Sequence, residues 1–305
     1  MAILTKTLND TKFKGIFTEV LHSEKLGLSN PSHLRLFHLN VSGNTFSFDA
    51  LSDFILQNIG EYVFSRAKID QFKIEGKERA VGAKAIALLK KASGFDPSWL
   101  NDELGNIVLY VLLEQFLDAP KLYNKIELSS TNASSPSGVH LHTINDPAPA
   151  YQLVFGKSNV VGDFKAAIEN AFDALRAVKT GLQEEMNLIE TTVLSQHFDD
   201  TTIKKLKSIL LPTETPPPPV DPAFGLFIGY SLGLDPEKYS NADFRAALTR
   251  KMDLDIKEHV AHIAQKIKDE GMSTYPFYIY VLPFNPNIDK DKANIMEFVL
   301  RAGVL

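Results

Sequence analysis

The sequence predicts an α/β (α+β) protein built on a mixed sheet flanked by helices. Three observations lead there. Short runs rich in β-branched and aromatic residues alternate with longer stretches of helical periodicity. Two of those runs stand back to back across a proline turn, and one long helical stretch is apolar on nearly every face, the mark of a buried helix. The 305 residues, 44% hydrophobic and 23% charged, are enough for one large core or two modest ones. There is no cysteine, which excludes disulfides and thiolate metal ligands. A net charge of −5 gives no global basic field, so nucleic acid would have to be met by a local patch or through a partner. Met1–Lys6 opens no apolar signal core, and no apolar run reaches the ~20 residues of a membrane helix. The expectation is a cytoplasmic protein with no membrane association.

The elements follow in order. His33–Val41 alternates as a half-buried strand and Ser42–Thr45 supplies turn residues. Asp49 begins a helix with Leu51, Phe54, Ile55 and Ile59 at helical spacing, and Glu78–Ala92 reads as another. Gly94–Pro97 breaks the chain, dividing an N-terminal α+β segment (1–95) from a second domain (96–305). Pro97, Asn101 and Asp102 start the apolar helix, which runs to Phe116 and ends before Ala119-Pro120. Lys121–Leu128 holds a short strand, and Ser129–Pro136 is a polar loop. Strands around Val139 and Leu153 flank the turn Asn145–Pro149, in which Asp146 is a turn residue. Asp163 is the N-cap of a helix to Leu194, with Phe164, Ile168, Phe172 and Leu175 on one stripe. The prolines of 212–222 predict a stiff surface connection. Beyond it come a strand (Ala223–Tyr230), two helices (Asn241–Arg250 and Asp255–Glu270), an aromatic strand (Phe277–Pro283) and a last helix (Asp289–Leu300).

Within 103–175 the order helix, strand, strand, helix resembles the restriction-endonuclease-like (PD-D/ExK) core. More closely, the chain resembles the HamA-type nuclease subunit of Hachiman antiphage defence systems. The residues that carry the likeness are Leu104-Gly105 before Leu109–Glu114, Ala119–Leu122, Ile126–Leu128, Gly138–His140, Phe155-Gly156 with Ser158, and Phe277–Pro283. It covers most of 95–305.

The resemblance implies a metal-dependent nuclease subunit that docks on a helicase (HamB-like), which holds it in check until abnormal DNA is sensed. It implies an aspartate one residue before Gly138-Val-His, where this chain has Ser137. It implies Glu-x-Lys after Phe155-Gly156, where this chain has Lys157-Ser158-Asn159. A further acidic position falls on Asn106. In the family these groups hold Mg²⁺ and orient the attacking water. A lysine in place of the glutamate reverses the sign. Unit charges about 4 Å apart interact by roughly 4 kcal/mol at an effective dielectric near 20, and a divalent ion doubles that.

The expectation is therefore an antiphage-defence subunit that has lost cleavage and acts through binding or regulation, with no cofactor. An alternative is an active DNA nuclease with relocated ligands, using Mg²⁺ or Mn²⁺ and Glu103 or Glu114 as residual acids. In the structural alternative Glu103 is a first-turn acid of its helix. A third reading is an interaction protein with no nucleic-acid role. His140 and His142 share a strand face, and His259 and His262 a helix face, but packing and hydrogen bonding account for such pairs without a metal. Phe277–Tyr280 reads as sheet core, and Lys204, Lys205 and Lys207 as a solvated helix face.

Overall fold

The computed structural model describes residues 4–8, 13–30, 32–128, 135–144, 150–194, 198–210 and 220–302. Its centre is the apolar helix, α4 (Pro97–Phe116), started by Asp96, whose side chain accepts from Ser98 N, with Pro97 in the first turn. The helices before it are α1 (Asp49–Val63), α2 (Arg66–Ile74) and α3 (Val81–Ala92). Seven strands form one sheet in the order β1-β2-β9-β8-β7-β6-β5. These are β1 (Phe17–Val20), β2 (Ser32–Leu39), β5 (Lys121–Asn124), β6 (Gly138–Ile144), β7 (Ala150–Val160), β8 (Val220–Ser231) and β9 (Phe277–Phe284). β3 (Val41–Ser42) and β4 (Thr45–Phe46) make a separate small hairpin.

β2, β9, β8 and β7 run parallel, while β1, β6 and β5 pair antiparallel with their neighbours. The sheet is thus mixed, as the sequence predicts. β9 lies between β2 and β8, so strands from both sides of residue 95 share one sheet. Two prolines test this arrangement, because proline cannot donate to a ladder. Pro222 precedes the first β8–β9 pair, Phe224↔Phe277, and Pro283 follows the last β2–β9 pair, Leu36↔Val281. Each stands where its strand lacks one neighbour.

α4 lies on one face of the sheet, over Gly156 and Gly225. A Cβ at either would stand 3.1 Å from a methyl of Leu109 or Leu113, so both glycines let the helix approach closely. On the other face lies α5 (Phe164–Thr180), capped by Asp163 through Ala166 N, with its ring at Phe172 against Phe277. The aromatic strand Phe277–Tyr280 is buried, as expected.

Several boundaries differ from the sequence reading. The helix expected over 163–194 stops at Gly181, which ends α5 and precedes α6 (Leu182–Leu188) and a π-helical turn (Ile189–Val193). Glycine costs about 1 kcal/mol inside a helix, enough to select the break. The two helices expected at 241–250 and 255–270 are one, α8 (Asn241–Asp269), which follows α7 (Asp200–Leu210). No glycine or proline interrupts it. Leu248, Met252 and Ile256 keep a buried stripe through the supposed gap, and the pairs Lys251–Asp255 and Lys257–Asp253 bridge it at i,i+4. The last helix, α9, spans Ile288–Ala302. β1 and α2 were not anticipated, and Glu78–Ala80 is a 3₁₀ turn before α3. Residues 220–222, expected in the proline connection, open β8. The rest of that connection (212–219), most of the polar loop (129–134) and the turn 145–149 with Asp146 lie outside the described residues.

Candidate functional site

α4 is apolar from Glu103 to Glu114 except at Glu103, Asn106, Tyr110 and Glu114. Steps of three and four residues place these on one stripe. Glu103, Asn106 and Glu114 are buried with it. The two ends of the stripe do different things.

At the N-terminal end, Glu103 accepts hydrogen bonds from the Tyr62 hydroxyl and from Asn106 Nδ2 (2.9 Å). Lys125 Nζ stands 3.5 Å from the same carboxylate. Burial, then the Glu103 charge, holds the Tyr62 phenol far above its ordinary pKa, so it stays a donor. Asn106 Oδ1 in turn accepts from the hydroxyls of Ser137, just before β6, and Ser158 of β7 (2.5 Å). Asn106 therefore fastens the helix to two strands. Gly105 permits the approach, since a Cβ there would meet Ser158 Oγ at 2.8 Å.

The first-turn reading of Glu103 is overturned. It lies in the second turn of a helix that begins at Pro97, and its partners are side chains from α1 and the sheet. The spacing of the polar residues in α4 was the available signal for Asn106 as a hub. Nothing local pointed to Tyr62, which arrives from 41 residues away.

Strand alternation puts Lys157 and Asn159 on the face of β7 opposite Gly156 and Ser158. Lys157 Nζ donates to Ser135 O at 3.0 Å. Its pKa is pushed down to about 8, first by burial and then by Lys125, against the pull of Glu103 and Glu185. Asn159 Oδ1 is buried without a hydrogen-bond partner. Of the expected site residues, Ser137 and Glu103 thus meet through Asn106, while Lys157 and Asn159 lie across the strand.

Glu114 belongs elsewhere. Eleven residues from Glu103, about three helical turns, it accepts from Thr7 N (2.7 Å), Leu8 N (2.9 Å), Thr7 Oγ1 (2.7 Å) and Lys121 N (2.8 Å). The donor set fits a hard divalent ion poorly. Glu103 and Glu114 already accept bonds on both oxygens, and Lys157 on β7 brings an ammonium rather than a further carboxylate. Among the described residues, no three His, Asp or Glu side chains converge on a point where a metal ion could sit.

The histidines are tied to local partners. His140 is buried against Ala119 O (2.8 Å) and its pKa falls to about 4 through burial. His142 packs edge-on against Tyr278. His259 meets Asp255 O and His262 meets Glu169.

Lys157 gives a test of its own. Its pKa in the folded chain lies below the ordinary 10.5. Between those values the unfolded chain holds more protons, so stability should rise with pH through that window, and below it the buried charge is a constant cost. Lys157→Met is expected to stabilise the protein by about 1–2 kcal/mol at pH 7 and to flatten that rise. Urea unfolding at pH 7 and at high pH reads both effects, and an unchanged slope would remove Lys157 as its source.

Fold and centre define a mixed-sheet α/β protein in which one polar-striped helix is bonded to the strands beneath it. A comparison with family models matches HamA over residues 15–299. The chain belongs to the HamA family, and so is an antiphage-defence subunit of the Hachiman kind. No curated protein and no solved structure matches it. No helix among the described residues is long and apolar enough to cross a membrane.

Proposed function

We propose that this chain is a nuclease-like defence subunit that does not cut, and that it works by binding or regulation beside a helicase partner. The observation that carries the reading is the half-buried ammonium of Lys157, which falls where the resemblance puts the family's metal-binding glutamate. The companion positions hold Ser137, already bonded to Asn106, and Asn159, which supplies no positive charge. The hydroxyl of Ser137 keeps its strand joined to α4 through Asn106 but brings no negative charge to hold Mg²⁺.

The test is cleavage of plasmid, linear and single-stranded DNA with Mg²⁺ or Mn²⁺, with and without the helicase encoded beside this chain. The unmodified chain is expected to be silent with either metal, alone and beside the helicase. Cutting by the unmodified chain would overturn the proposal. The second reading, an active enzyme with a moved centre, draws on Glu103, the buried carboxylate nearest Lys125. It expects that cutting to vanish in Glu103→Ala.

A further inference from the structure

The outer side of β2 is only half used. β1 pairs with Leu36–Leu39 and stops at Val20, whereas β9 pairs on the inner side from Ser32 onward. His22 Nε2 meets Leu34 O at 2.9 Å on the outer side. Backbone groups of alternate residues in a strand point the same way, so the N–H and C=O of Ser32 and Leu34 face outward like those of Leu36 and His38. Among the described residues, no backbone hydrogen bond joins 21–30 to 32–35.

After Val20 the chain swings away over residues 21–28 without strand structure and leaves a cleft of about 510 Å³ beside this edge. Val20, Leu26, Leu28 and Leu34 give it apolar walls, and Leu21 is 86% exposed at the end of β1. One end is closed by Arg35, whose Nε and Nη2 donate to Glu19 at 2.7 and 2.6 Å. The imidazole of His22 covers one acceptor of the edge, and its Nδ1 is buried with no partner.

We infer that this cleft takes an extended segment of a partner protein, added as a strand on β2 at Ser32–Arg35 in line with β1. The outward backbone groups of Ser32 and Leu34, which bond no backbone group among the described residues, supply the ladder, and the apolar walls select a segment with apolar side chains at every second position. His22 swings off Leu34 O when the segment enters. A helix cannot satisfy this edge, because its own backbone groups are already bonded.

Two measurements on the full chain test it. In hydrogen exchange, the Leu34 amide of the free protein is expected to exchange fast, and slow exchange there would show the edge already paired and overturn the inference. A phage-displayed library of random decapeptides is then the probe. Enriched peptides are expected to alternate apolar and polar residues, to protect the Leu34 amide, and to bind Leu34→Pro about tenfold more weakly. Proline at this position removes an outward N–H and leaves the β9 side intact, with circular dichroism as the check on folding. No enrichment, or enriched peptides with helical spacing that bind folded Leu34→Pro equally well, would overturn it.

Discussion

Replacing Lys121 by alanine should cost the fold about 4 kcal/mol, within the range for breaking a buried ion pair. Lys121 is 1% exposed at the start of β5. Its ammonium donates to the carbonyls of Glu61 (2.6 Å), Tyr62 (3.0 Å) and Phe64 (3.0 Å), where α1 ends, and pairs with the buried carboxylate of Glu127. Carbonyls at a helix C-terminus have no partner within the helix, and a cation there satisfies them and the dipole together. Burial pulls the Lys121 pKa down, and Glu127 opposes the shift. Alanine would take from the buried carboxylate of Glu127 the ammonium it pairs with. Lys121→Met should cost nearly as much, and Lys121→Met with Glu127→Gln should recover most of the loss. Urea unfolding reads all three. A double variant no better than the single one would mean that the helix-end carbonyls, not the lost ion pair, set the cost. The consequence reaches the candidate site, because the end of α1 carries Tyr62, the donor that orients Glu103.

Glu114→Ala is expected to be comparably severe, about 4 kcal/mol from several buried donors left unsatisfied. Three of its four donors are backbone N–H groups, of Thr7, Leu8 and Lys121. Glu114→Gln keeps one acceptor oxygen and turns an amide toward the other donors, so it should fall between wild type and alanine. Limited proteolysis offers an independent readout, with faster cleavage around Thr5–Leu8 in both variants. Unfolding that leaves this segment as resistant as in wild type would show that Glu114 does not hold it.

Periodicity made much of the fold legible and left the site largely hidden. The apolar helix and the strands at 138–144, 150–160 and 277–284 each show a period long enough to read. The four residues of β1 are too few to show one, and in α8 the buried stripe of Leu248, Met252 and Ile256 runs on through 251–254, where the sequence reading placed a gap. At the site, motif positions located Ser137 and Lys157, but sequence distance concealed their partners. Tyr62, Glu103 and Asn106 form one network only after α1 and α4 have packed. Glu114 looked like a spare acid because the segment that saturates it lies more than 100 residues earlier.

The place of β9 governs the order in which the chain can mature. On a ribosome, β2 emerges early and β8 much later, yet β2 gains its parallel neighbour, and β8 its second one after β7, only when residues 277–284 have been made. Until then the nascent chain carries two uncovered hydrogen-bonding rims on either side of a vacant slot. Threading the slot joins segments more than 200 positions apart, a late closure of the kind that slows folding and exposes the unfinished sheet to other chains.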